Sequence, residues 1–140
     1  MVGKTATALQ KPGQPRFAAY INYGPMDQNI ATRIADDLNR TGIPVWVDPN
    51  SAMQDKDQWA SRVQPGLLEC SHMVVVLSPS ALDVEDVEES WRFFREHRKP
   101  VVIAQVQTCP IPDDLRRQPR FDFESDYKAA FRSLVQSLAG

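Results

Sequence analysis

Five consecutive apolar residues, Met73-Val-Val-Val-Leu77, constrain this chain more than any other feature. A strand with one wet face alternates apolar and polar side chains, whereas a strand apolar at every position is covered on both faces. That is the place of a central strand in a parallel sheet with helices above and below. No clean apolar stretch of the 140 residues is longer than this run. A helix needs about 20 such residues to cross a bilayer, so no membrane span is expected.

Strand and helix periodicities alternate around that run. Phe17–Tyr23 reads as a first strand stopped by Gly24-Pro25. Asp27 then stands where its carboxylate would cap a helix, in which Ile30, Ile34 and Leu38 recur at i, i+4, i+8 beside Ala31 and Ala35. Gly42 ends that helix. Ile43–Val47 is a second strand, with Pro44 near its start where a missing donor costs least. A polar loop, Asp48–Asp57, leads to a helix over Gln58–Glu69 with Trp59, Val63 and Leu67 on one face and a kink or irregular turn at Pro65. After the third strand, Val84–Arg98 forms a helix burying Val84, Val87, Trp91 and Phe94. Its first turns are acidic and its last basic, which suits the helix dipole. Val101–Val106 is a fourth strand and Arg120–Phe123 a short fifth at an edge. Ser125 or Asp126 caps a last helix whose Tyr127, Ala130, Phe131, Leu134 and Leu138 share a face. The alternation predicts an α/β fold: a flavodoxin-like, doubly wound, five-stranded parallel sheet in the order 2-1-3-4-5, flanked by helices. Residues 1–15, small, polar and rich in Pro and Gly, read as a flexible tail or linker before one domain over 16–140.

Composition then removes whole classes of function. Sixteen basic residues against eighteen acidic ones leave a net charge of −2, so no nucleic-acid partner is expected. Cys70 and Cys109 are too few and too far apart for a disulfide framework and read as free thiols of a reducing compartment. The N-terminus lacks the apolar core of a signal peptide, and a cytoplasmic location is expected. Metal ligation is not expected: the chain has only His72 and His97 and no C-x-x-C pair. His72 reads as a strand-edge residue and His97 as a basic residue at a helix end.

In a doubly wound sheet function gathers at the carboxyl ends of the strands, here Asn22-Tyr23-Gly24, Asp48 onward, Ser78-Pro79 and Gln105 to Cys109. Gly24 alone makes no G-x-G-x-x-G, and no P-loop run exists. Asn22 and Ser78 stand where a phosphoacceptor site would hold acids, and Ser78 has neither the G-x-S-x-G elbow nor a strand-end histidine for a hydrolase triad. Ser78 reads instead as a turn serine before Pro79.

Tyr20-Ile-Asn-Tyr23 with Asp27 resembles the opening F-I-S-Y-x-x-x-D of TIR (Toll/interleukin-1 receptor) domains, with asparagine in place of the usual serine. Gly42-Ile-Pro-Val-Trp-Val-Asp48 is similar to the family's G-x-x-V-W-x-D strand. Trp59 with Val63, then Ser71 and Val74-Val-Val-Leu-Ser-Pro79, resemble W-x-x-x-I, S and V-V-V-L-S-P. Lys99-Pro-Val-Val-Ile103 and Phe121-Asp-Phe123 look like the later K-P-I-I and aromatic-D-F segments. The motifs run in the expected order from about Phe17 to Leu138, in the bacterial-type pattern.

The resemblance implies two activities. TIR domains assemble with other TIR domains through the loop after the second strand, here Pro49, Asn50, Ser51, Ala52, Met53, Gln54 and Asp55. Many also cleave NAD⁺ to nicotinamide and ADP-ribose products, with the glutamate of W-x-x-x-E stabilising positive charge at the anomeric carbon. In register from either Ser78-Pro79 or Lys99-Pro100, Asp86 falls at the tryptophan position and Ser90 at the glutamate position. A serine carries no charge, which implies an assembly module with cleavage lost or weak. An acidic third helix and the bases Arg116, Arg117 and Arg120 are candidate complementary faces for it. The alternative is an NAD⁺ glycohydrolase, activated by self-assembly, that draws its carboxylate from Glu89, about 100° around the helix, or from another acid near Tyr23, with Asn22, Tyr23, Ser78 and Asp86 lining the pocket. No resident cofactor is implied; NAD⁺ would be a substrate.

Overall fold

The computed structural model describes residues 16–47 and 65–139. Five parallel strands, β1 (Arg16–Asn22), β2 (Val45–Val47), β3 (Cys70–Leu77), β4 (Val101–Gln105) and β5 (Arg120–Asp122), form one sheet in the order β2-β1-β3-β4-β5. Among the described residues, four helices flank it: α1 (Gln28–Arg40), α2 (Pro65–Glu69), α3 (Glu85–Glu96) and α4 (Tyr127–Ala139). Short 3₁₀ turns, η1 (Pro25–Asp27), η2 (Ala81–Asp83) and η3 (Asp113–Leu115), complete the connections. The expected α/β fold and strand order are the observed ones. The tail at 1–15, the loop from Asp48 and the first half of the helix placed at Gln58–Glu69 lie outside the described residues.

Met73 to Leu77 are fully buried in β3, between β1 and β4. Val74 and Val76 face α1 and α4, joining Ala19, Ile21, Ile34, Leu38 and Leu134 in one core. Met73, Val75 and Leu77 face α2 and α3, joining Tyr20, Leu67, Trp91 and Phe94 in another. Burying each such aliphatic side chain stabilises the fold by about 1.5–3 kcal/mol relative to leaving it exposed, so this strand anchors both layers.

Several boundaries differ from the sequence reading, each for a local reason. The second strand starts at Val45 rather than Ile43, because the Ile43 N–H donates to the Leu38 carbonyl and belongs to the end of α1. Gly42 sits there at φ +93, a conformation that an L side chain adopts only with strain. The third strand reaches back to Cys70, and Ser71 bridges an irregularity beside it. Its hydroxyl accepts from the Ala18 N–H at 3.2 Å and donates to the Ala18 carbonyl at 3.3 Å. The third helix stops at Glu96 rather than Arg98. Arg98 takes the left-handed φ of 58, and the Lys99 N–H reaches back to the Phe94 carbonyl. Pro100 disfavours helical backbone at the residue before it, so the turn must open there. Val84 is the N-cap of that helix and half-buried, not part of its buried face.

Candidate functional site

The carboxyl ends of β1 and β3 meet the start of α3. Asn22 ends β1 on the side of the sheet that faces α3 and is only 3% exposed. Its Nδ2 donates to the Val87 carbonyl at 2.9 Å, with the Met73 sulfur 3.6 Å away. An amide buried so deeply needs such a partner, and the bond ties the end of a central strand to the first turns of α3. Tyr23, the next residue, packs in the opposite core. Beyond it, Gly24 lets η1 lie against η2: a Cβ there would come 3.2 Å from Val84 Cγ2 and 3.5 Å from Ala81 Cα.

Ser78 is fully buried at the end of β3. Its hydroxyl donates to Asp27 Oδ2 at 2.5 Å and accepts from the Ala81 N–H at 3.1 Å, with Ser80 Oγ also 3.1 Å away. The turn role read from the sequence is the one observed. Asp27 differs from its expected role. It occupies the N-cap position of α1, but its side chain makes no capping bond and joins the loops after β1 and β3 instead. At the far end of the sheet, Asp122 accepts from the Ser125 N–H and hydroxyl and from the Glu124 N–H. The Ser125 bonds hold its carboxyl below the usual range. Asp126, one of the two residues expected to cap the last helix, does so by accepting from the Ala129 N–H at 3.1 Å.

On α3, Ser90 is 2% exposed, Asp86 is half-buried and Glu89 is exposed. Helical spacing accounts for the difference, since Ser90 shares the inward face with Val87, Trp91 and Phe94. Trp91 is an anchor: its indole N–H donates to Asp114 Oδ2 at 3.3 Å, an oxygen shared with Arg92 Nε. Arg92 also pairs with Glu88, and Arg116 pairs with Asp113 at 2.8 Å. The acidic helix and the Arg116 segment are therefore neighbours within one molecule, each of mixed charge.

Neither thiol is activated. Burial pushes Cys70 up to about 11, and it raises Cys109 as well, against the lowering effects of Gln105 and Arg120. Lys99, singled out within the K-P segment, donates to the carbonyls of Leu67, Leu68 and Cys70, and so fixes the chain between α2 and β3. Among the described residues no three of His, Cys, Asp and Glu converge as a metal site requires, and no helix is long and apolar enough to cross a membrane.

Of the residues read from the sequence, Asn22, Tyr23 and Ser78 are buried at the strand ends, and their loops meet α3 there. Pro49 to Asp55 lie outside the described residues. The bonds from Asn22 to Val87, from Ser78 to Asp27 and from Trp91 to Asp114 were not read. They join residues 65, 51 and 23 positions apart, and no local pattern marks them.

A profile of the TIR domain family matches residues 20–135. Among curated proteins, the chain is 27% identical over 92 residues to a Brachypodium distachyon protein, "Probable 2′ cyclic ADP-D-ribose synthase BdTIR". The match takes in 64% of this chain and 41% of that protein, so the chain spans about two-fifths of its relative's length. Among solved structures, the TIR domain of the Toll-related receptor TRR-2 of Hydra magnipapillata superposes with a TM-score of 0.69 at 15% identity. That superposition covers 89% of this chain and 100% of the other, a likeness of fold.

Proposed function

The chain belongs to the TIR domain family, and from that premise we propose that it is a cytoplasmic signalling domain acting by assembly with other TIR domains, with the family's catalytic glutamate replaced by Ser90. The observation that carries this reading is the environment of Ser90: uncharged, 2% exposed and turned inward on α3. Cleaving the bond between nicotinamide and ribose builds positive charge on the sugar, and stabilising it takes a fixed carboxylate. A hydroxyl in that place supplies no charge. Losing one preorganised stabilising group of this kind typically costs about 10²–10³-fold in rate.

The second reading is NAD⁺ cleavage by a displaced carboxylate, and the relative named for ADP-ribose cyclisation supports it. In that case exposed Glu89 is the acid, brought over the strand ends by assembly. Nicotinamide release from NAD⁺ by concentrated protein separates the readings. The proposal expects no release from the native chain, together with a molecular mass that rises with concentration. Turnover abolished by Glu89→Gln would overturn the scaffold reading in favour of the enzyme. A strict monomer at millimolar concentration would sink self-assembly.

A further inference from the structure

Away from the strand ends, α1 and α4 leave a groove of about 740 Å³ on the face of the sheet opposite α3, within the roughly 300–1,000 Å³ of ordinary small-molecule sites. Its chemistry follows from helical spacing. Tyr127, Phe131 and Val135 recur at i, i+4, i+8 along α4 and are half-buried against the core. Lys128 and Arg132 run one position over, exposed, so a cationic stripe flanks an apolar one. The Tyr127 and Phe131 rings are stacked, parallel to within 3° with centroids 6.1 Å apart. Arg33 of α1 lies over the face of the Tyr127 ring, its guanidinium carbon 3.8 Å from the ring centre.

Asp37, the one acid among the groove's described lining residues, is already engaged. Asp37 Oδ2 accepts from the Tyr127 hydroxyl at 2.6 Å, and Oδ1 pairs with Arg40 at 3.3 Å. No carboxylate among the described residues pairs with Arg33, Lys128 or Arg132. Three cations around an aromatic floor, on a chain whose net charge is −2, are complementary to an anionic group carried on a flat ring.

We propose that this groove binds a small aromatic anion, with its ring against the apolar Tyr127, Phe131 and Val135 side of α4 and its acid group held by Lys128 and Arg132. The probe is 1-naphthyl phosphate, titrated into the ¹⁵N-labelled full chain and followed by amide shifts. An open site and a ligand of this size give a Kd of about 0.5 mM. Saturable shifts are expected in α1 around Arg33 to Thr41 and in α4 from Tyr127 to Gln136. The Lys128→Ala/Arg132→Ala pair, both exposed and so compatible with folding, is expected to weaken binding about tenfold. Neutral 1-naphthalenemethanol is expected to bind at least about fivefold more weakly than the phosphate. Arg116→Ala/Arg117→Ala, in a separate charged cleft beside Asp113 and Asp114, should leave the Kd unchanged. Equal affinity for the neutral probe, or shifts centred on the Arg116 segment, would overturn the proposal. So would concentration-dependent shifts of the α1 and α4 amides without the probe, which would assign the groove to a second copy.

Discussion

Asn22→Ala removes a side-chain bond by which β1 holds the first turns of α3. The wild-type amide donates to the Val87 carbonyl at 2.9 Å from a site 3% exposed. Such a neutral bond contributes about 1 kcal/mol net, and a carbonyl left without it in a dry site costs about 1–3 kcal/mol. The truncation also leaves a small void beside Met73, so the expected loss of stability is about 2–4 kcal/mol. Urea unfolding followed by tryptophan fluorescence reads that loss as a lower midpoint with an unchanged slope. Native-state hydrogen exchange locates it: amides in the first two turns of α3 should exchange faster, and those of α4 should follow only the global change. A loss below about 0.5 kcal/mol would refute the reasoning, because a buried polar group so easily dispensed with cannot be tying the elements together. Equal acceleration in α3 and α4 would refute it too, by showing that the bond supports the whole fold and not the junction.

Two further perturbations test the same kind of argument. His72 is half-buried, and burial holds its imidazole below the ordinary 6.5. The unfolded chain therefore takes up a proton near pH 6.5 that the folded chain refuses, so stability should fall as pH drops from 7 to 5. His72→Phe should remove that part of the slope in urea titrations at each pH; an unchanged slope would disprove the assignment. Gly42→Ala should cost about 1–2 kcal/mol through backbone strain alone, since φ is +93 and nothing lies within 4 Å of the added Cβ. A midpoint equal to wild type would contradict it.

Much of the architecture was legible because it is written in local periodicity. The apolar run at 73–77 has no polar face to expose and can only be central, and Ile34 and Leu38 can be buried together only as a helical stripe. Boundaries were less legible because they are set by single hydrogen bonds. The Ile43 N–H turns back to Leu38, and Arg98 flips to a left-handed φ where glycine would be the ordinary choice. Asp27 shows the limit most clearly. A carboxylate at a helix start reads as a cap, and only the approach of Ser78, 51 residues later, gives it a better partner.

The sequence by itself determined the sheet, its strand order and the family, because hydrophobic spacing and a series of motifs in register are properties of short segments. It also determined which side chains α3 carries, Asp86, Glu89 and Ser90 among them. The tertiary structure decided what those residues face. It turned Ser90 inward and left Glu89 outside, and it committed Asn22 and Ser78 to the scaffold. It also brought Arg33 onto the ring of Tyr127 and the Tyr127 hydroxyl to Asp37, 90 residues away. Such pairings depend on how two helices cross one sheet, and no spacing within either helix encodes that distance.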